Sequence, residues 1–221
     1  EIDEDFIDPS HFGEYVDWRA EHPSDDIMTE MLHVEFDDEH GEHRRLTREE
    51  LTTYLTVVAG AGNETTTKLI GWFTKLLGEY PDQRAAAVAD PGLVPNTIEE
   101  VLRFEPPGPH IARYVAKDVE LHGQTVPAGS AMLMIVGSAN RDPERFVDPD
   151  RFDIRRNTAG HLTFGYGAHF CLGAALARLE GRVVLDEMLK RWPEWEVDLD
   201  GAHLAPTSTV RGYETLPIRV P

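Results

Sequence analysis

From Thr47 to Pro81 the chain runs without a proline, and the run opens on Thr47-Arg48-Glu49-Glu50. A threonine followed three residues later by glutamate can satisfy two of the orphan N–H groups at a helix start reciprocally. Nothing breaks the helical pattern until proline, which lacks the N–H that continuation needs. One unusually long helix is therefore expected over this stretch. Gly60 and Gly62 sit in its middle, each costing ~1 kcal/mol relative to alanine. Either another helix packs closely there or the helix leaves room for something else.

Around this helix the pattern is mainly α with small β-sheets, an α+β class. Ser24, with Asp25 and Asp26 behind it, reads as the cap of a short helix carrying Ile27, Met31 and Val34. The stretch DDEHGEHRR reads as a charged loop. His40 and His43 lie in it without a supporting cysteine or second histidine pair, so they read as solvated rather than as zinc ligands. Pro81 starts an alanine-rich helix, and another runs from about Pro95 to Phe104, placing Glu100 and Arg103 on one face. IARYVA, VELHG, TVPAGSAMLMI and LPIRV read as short strands divided by Gly and Pro turns. Leu172, Leu176, Leu179 and Val183 recur at near-helical spacing, the expected core-facing stripe of a last long helix. No repeat or internal boundary divides residues 1–221.

The sole cysteine, Cys171, stands in HLTFGYGAHFCLGAALARLE, between a glycine-punctuated loop and that last helix. A sulfur at a helix N-terminus meets unpaired N–H groups and the positive end of the macrodipole, both of which favour thiolate. Cys171 is thus a candidate metal ligand; a buried structural cysteine is the alternative. Phe164, Gly165, Gly167, His169, Cys171 and Gly173 spell F-G-x-G-x-H-x-C-x-G. This pattern resembles the cysteine-ligand loop of the cytochrome P450 family, in its compact bacterial form.

The resemblance extends to two further segments. Ala61, Gly62, Asn63, Glu64, Thr65 and Thr66 are similar to the family's A-G-x-[DE]-T-T helix segment, and ANRDPERFVDPDRFDIRR to its meander. It implies the C-terminal part of the P450 fold: long central helix, E-x-x-R helix, meander, cysteine-ligand loop and a long helix. It implies haem b, iron protoporphyrin IX, with Cys171 as axial ligand and with Ala61, Gly62, Arg113, Phe164, Gly165, His169 and Gly173 around the cofactor. Arg113 and His169 take the positions of propionate partners, and Phe164 shields the sulfur. Glu64 and Thr65 are implied as the acid and hydroxyl that deliver protons for oxygen activation. Glu100, Arg103 and the meander's Arg151 are implied as a buried structural triad. Pro107, Gly108, Pro109, His110, Ile111, Ser208, Thr209 and Val210 match substrate-pocket loops.

The implied reaction is insertion of one oxygen atom of O2 into an apolar organic substrate, with electrons from NAD(P)H through ferredoxin reductase and ferredoxin. Arg178 and Arg182 are candidates for docking such an acidic donor. The net charge of -19 disfavours nucleic acid and anionic membrane surfaces. No apolar run approaches bilayer length, and one cysteine needs no oxidising compartment, so a cytoplasmic location is expected. The chain starts on Glu1 and, aligned by its motifs, corresponds to the C-terminal half of a family member. The N-terminal half of its own chain is then an expected partner. Three alternatives stay open: a peroxygenase, a thiolate-haem sensor without turnover, and a fragment that binds no haem stably alone.

Overall fold

The computed structural model describes residues 9–207 and 209–221. By contact the chain divides into two compact units, one ending at Asn63 and one starting at Glu64, with the boundary inside the long helix.

The first unit contains α1 (Pro9–Glu21), α2 (Ile27–His33), β1 (Glu35–Asp37), β2 (His43–Arg45) and the start of α3 (Arg48–Glu79). Val16, Met28 and Leu51 make its small core. The α2 cap is Asp26, whose carboxylate accepts the Thr29 N–H at 2.9 Å. It lies two positions beyond Ser24, whose own N–H donates to Thr29 Oγ1. The charged stretch is a hairpin rather than an open loop, because opposite charges face each other across it. Arg45 pairs with Glu35 at 2.7 Å and His43 with Asp37 at 2.8 Å, both in register. Arg44 reaches Asp38 at 2.9 Å and Glu50 at 2.8 Å.

The capping box forms as the sequence indicates. Glu50 N–H donates to Thr47 Oγ1 at 3.2 Å, and Thr47 N–H donates to Glu50 Oε2 at 2.8 Å. The helix α3 then runs for 32 residues, about 48 Å at 1.5 Å per residue.

The second unit is built on the end of α3, where Leu69, Trp72, Phe73, Leu76 and Leu77 are buried at i, i+3, i+4, i+7 and i+8. They share one core with α5 (Val94–Phe104) and α7 (Ala174–Arg191). The short helices α4 (Pro81–Ala89) and α6 (Val136–Ala139) complete the helical part. The strands pair as two-stranded antiparallel ladders. β3 (Ile111–Tyr114) pairs with β6 (Ala131–Met134), and β4 (Val119–Leu121) with β5 (Gln124–Val126). β7 (Glu196–Val197) pairs with β10 (Ile218–Arg219), and β8 (His203–Leu204) with β9 (Tyr213–Thr215). Among the described residues no helix is long and apolar enough to cross a membrane.

One expectation is overturned. Leu172, Leu176, Leu179 and Val183 do not face the core; all four are exposed, Leu172 at 88%. The buried face of α7 is Ala174, Gly181, Leu185 and Leu189. Small residues let this helix approach its neighbours closely: a Cβ on Gly181 would lie 3.2 Å from Leu69 Cδ2 and 3.4 Å from Ile98. The buried face combines close approach at Gly181 with the bulk of Leu185 and Leu189.

That geometry makes Gly181→Val an overpacking substitution, expected to destabilise by ~1–3 kcal/mol. Gly181→Ala, which needs the flexible ends of Leu69 and Ile98 to give by only a few tenths of an ångström, should cost clearly less. Urea denaturation of the two variants beside the parent protein checks the order, and an equal or inverted pair of midpoints would refute it.

Candidate functional site

The helix α5 carries two consecutive acids, Glu99 and Glu100, and consecutive helical positions point about 100° apart. They accordingly serve two different neighbours.

Glu100 and Arg103 are both 0% exposed. Arg103 Nε donates to Glu100 Oε2 at 2.7 Å and Nη2 to Oε1 at 2.9 Å, a bidentate pair. The second guanidinium at this carboxylate is not that of Arg151. Arg156 Nε donates to Glu100 Oε1 at 3.2 Å, while the exposed Arg151 contributes its backbone carbonyl, which accepts from Arg156 at 2.8 Å. The meander bends sharply at Asp148, φ +47°. Its turned-in carbonyls at Val147 and Asp148 accept from Arg156 and that of Pro149 from Arg103. Arg151 therefore leaves the side-chain triad, and Arg156 enters it.

The meander is also tied to the cysteine loop by Asn140, which is fully buried. Its carbonyl accepts from Arg103 at 2.8 Å, its Oδ1 accepts the Leu162 N–H at 2.7 Å, and its Nδ2 donates to Thr163 Oγ1 at 2.9 Å. Thr163 Oγ1 in turn donates to the Leu102 carbonyl on α5 at 2.7 Å. Sequence reasoning passed over Asn140, because an asparagine before Arg-Asp-Pro reads as an ordinary turn residue.

Cys171 lies at the end of this loop. Its N–H donates to the Phe164 carbonyl at 2.8 Å, so the intervening residues must turn back on themselves. Gly165 at φ +74° and Gly167 at φ +68° make the turn, in a region that residues with a Cβ rarely adopt. A single 3-10 turn, Gly167–His169, follows. The helix α7 starts at Ala174 with Gly173 as its cap, two residues after the sulfur. Cys171 is exposed, flanked by exposed Phe170 and Leu172, and Phe164 is buried beneath.

Glu99 holds the other side. Arg178 of α7 donates to it twice, Nε to Oε1 at 2.6 Å and Nη2 to Oε2 at 3.0 Å, and its guanidinium stacks over the Phe164 ring at 4.4 Å. His161 Nε2 lies 3.0 Å from Glu99 Oε2. Burial would raise the Glu99 pKa, but the hydrogen bonds from His161 and Arg178 outweigh it and bring it from 4.5 to about 2. The Arg178 pKa is raised, chiefly by its hydrogen bond to Glu99, against desolvation and with help from the charges on Glu99 and Cys171. Arg178 is therefore not a free docking charge; of the two candidates only Arg182 is exposed.

The remaining candidates fall at separate places. Arg113 is half-buried on β3, its Nη1 donating to the Ala112 carbonyl at 2.9 Å, and His169 is exposed. Arg211 N–H donates to the Pro107 carbonyl at 2.7 Å, which brings the 209–211 segment, with Thr209 and Val210, against the loop Pro107, Gly108, Pro109, His110 and Ile111. Arg211 and Glu105 reinforce this with an ion pair. Ser208 lies outside the described residues. Ala61, Gly62 and Glu64 are exposed on α3 and Thr65 is half-buried.

The family model described as Cytochrome P450 matches residues 5–209 of the chain. The chain belongs to the cytochrome P450 family. It is 41% identical over 207 residues to the 6-deoxyerythronolide B hydroxylase of Saccharopolyspora erythraea, covering 93% of this chain and 50% of that protein. It is also 41% identical over 212 residues to the cytochrome P450 monooxygenase PikC of Streptomyces venezuelae, covering 95% and 50%. Among solved structures, cytochrome P450 CYP109Q5 from Chondromyces apiculatus superposes with a TM-score of 0.89 at 43% identity, over 96% of this chain and 54% of that one. The chain thus spans about half the length of the curated P450 relatives it matches.

Two outcomes follow. Glu100→Ala would leave the fully buried Arg103 without its carboxylate and should destabilise by ~3–5 kcal/mol in chemical denaturation, whereas Arg151→Ala, which removes an exposed side chain, should cost far less. For Glu99, the folded pKa lies below the unfolded one, so its contribution is full above pH 4.5 and is lost as pH falls towards about 2. The melting-temperature advantage over Glu99→Gln should shrink across that window; an advantage independent of pH there would contradict the assignment.

Proposed function

We propose that this chain carries the cysteine-ligand half of a haem-thiolate monooxygenase, which inserts one oxygen atom of O2 into an apolar organic substrate. The observation that carries the reading is the exposed Cys171, whose backbone N–H is held by the Phe164 carbonyl across a turn that only glycine accommodates readily. The surroundings fit a flat, largely apolar cofactor. The thiol stands among exposed Phe170, Leu172 and Leu176, and Gly167 and Gly173 have nothing within 4 Å of where a Cβ would project.

Haem b is the cofactor this implies. When bound, haem with a cysteine thiolate ligand supplies the oxidising chemistry, the sulfur pushing electron density towards iron. Cys171 would hold the iron, Arg113 and His169 the propionates, and Gly165 and Gly173 the space beside the macrocycle. Phe164, itself buried, would shield the sulfur from water. Glu64 and Thr65, adjacent on α3, bring an acid and a hydroxyl together for proton delivery. Retention of that pair favours the monooxygenase over a peroxygenase or a sensor without turnover.

Relatives support the substrate class. One is named for hydroxylating 6-deoxyerythronolide B and another for vitamin D(3), and a solved relative, CYP109E1 from Bacillus megaterium, holds testosterone. All three are bulky, mostly apolar molecules. The loop Pro107–Ile111 and the 209–210 segment that Arg211 ties to it would meet such a substrate. Electrons would come from NAD(P)H through ferredoxin reductase and ferredoxin, in the cytoplasm.

The test is the reduced carbon-monoxide difference spectrum of the full-length protein. Cys171→Ser should abolish the thiolate-type band and turnover together, and a variant retaining both would end the proposal. Thr65→Ala should leave that band in place while product formation falls by about 10²-fold or more.

A second reading concerns the chain by itself. The exposed Leu172, Leu176, Leu179 and Val183 form an apolar stripe of the kind that promotes association when uncovered. In this reading the isolated chain needs the other half of the fold as its partner and binds haem weakly. A stable, stoichiometric haem complex of residues 1–221 alone would overturn it.

A further inference from the structure

Arg178 is the charge that most needs an explanation. On a surface helix an arginine could be a docking residue, yet this half-buried one directs its donors to a carboxylate of the same chain. Both of its forked N–H groups go to Glu99, at 2.6 and 3.0 Å, and its flat face covers Phe164 at 4.4 Å. The same carboxylate takes His161 Nε2 at 3.0 Å. Thr163 N–H donates to His161 Nδ1 at 3.3 Å, so Nδ1 is the acceptor and Nε2 carries the proton towards Glu99. The His161 and Phe164 ring centroids lie 6.0 Å apart, and those of Phe164 and Phe170 lie 6.3 Å apart.

Phe164 is therefore gripped on several sides, and its carbonyl is the acceptor for the Cys171 N–H at 2.8 Å. We propose that Glu99, Arg178 and His161 form a clamp that fixes Phe164 and, through its carbonyl, the backbone carrying Cys171, which makes Arg178 a positioning residue for the sulfur and not a docking charge for an electron donor. The loop needs such a device. Gly165 and Gly167 make its turn possible but confer no rigidity, and the residues after the turn are exposed. A bidentate ion pair from α5 to α7, with an aromatic ring stacked under the guanidinium, orders that loop from below. Lysine cannot substitute, because an ammonium lacks both the fork and the flat face.

The inference rests on the haem-thiolate reading only for the purpose of holding Cys171; the clamp itself is tested without it. The first readout is amide hydrogen exchange at Cys171 in the full-length protein, for the parent, Arg178→Gln, Arg178→Lys, Glu99→Gln and the exposed neighbour Arg182→Gln. Exchange at Cys171 should accelerate about tenfold in Arg178→Gln and Glu99→Gln through local opening, stay near the parent in Arg182→Gln, and in Arg178→Lys lie closer to Arg178→Gln than to the parent. The second is the reduction potential of the bound haem, which loss of a fixed cation should lower in Arg178→Gln and loss of its anionic partner should raise in Glu99→Gln.

Exchange within twofold of the parent in both Gln variants would overturn the clamp, as would potentials displaced in the same direction. Slower reduction by ferredoxin at low salt with Cys171 exchange unchanged would return Arg178 to a docking role. Should one Gln variant fail to fold, Arg178→Lys and the remaining variant decide the question. If the parent protein shows no thiolate-type carbonyl band, the haem-thiolate reading fails, while the exchange result still decides whether the clamp exists.

Discussion

The second unit depends on one buried ion pair. Glu100 and Arg103 sit at zero exposure on α5, and two charges so far from water are tolerable only if every donor and lone pair finds a partner. The carboxylate accepts Arg103 twice, Arg156 once and the Asp153 N–H at 3.0 Å. Two guanidiniums against one carboxylate leave a positive excess, and backbone carbonyls absorb it. Those of Asn140, Pro149 and Arg151 accept from Arg103, and those of Val147, Asp148 and Arg151 from Arg156. A segment with no regular structure has carbonyls to spare. The irregularity of the meander and the excess charge of the triad solve each other's problem.

The cysteine loop hangs from the same frame. Arg103 holds the Asn140 carbonyl, the Asn140 side chain holds Leu162 and Thr163, and Thr163 holds α5 again. A closed circuit of hydrogen bonds thus joins the helix, the meander and the start of the loop. Beyond Phe164 the circuit ends, and the chain relies on the Cys171 N–H bond and on what grips the Phe164 ring. The two neighbouring acids of α5 divide this labour, Glu100 towards the meander and Glu99 towards the loop.

The helix α7 illustrates how packing and binding share one element. Its small residues, Ala174 and Gly181, face inward, which allows close contact with Leu69 and Ile98. Leu185 and Leu189 fill the core beside them, while Leu176, Leu179 and Val183 stay exposed on the outer face.

Local chemistry was readable from residue order alone. The capping box, the end of α3 before Pro81, the strand segments β3 to β6 and β10, and the glycine turn before Cys171 follow from backbone rules acting over a few residues. The six matched positions around Cys171 and the A-G-N-E-T-T segment were enough to indicate the family. What residue order could not decide was which of several equivalent groups met across long separations. Arg151 and Arg156 are both meander arginines, and only the bend at Asp148 sets Arg156 against Glu100. Leucines at helical spacing indicate an apolar face but not what it faces, and the face of α7 that joins the core combines Ala174 and Gly181, which permit close approach, with Leu185 and Leu189. Arg178 looked like a surface charge until α5 supplied Glu99. Periodicity and capping are short-range and belong to the sequence; the choice among like-charged or like-sized partners is made by distance in three dimensions, and so belongs to the tertiary structure.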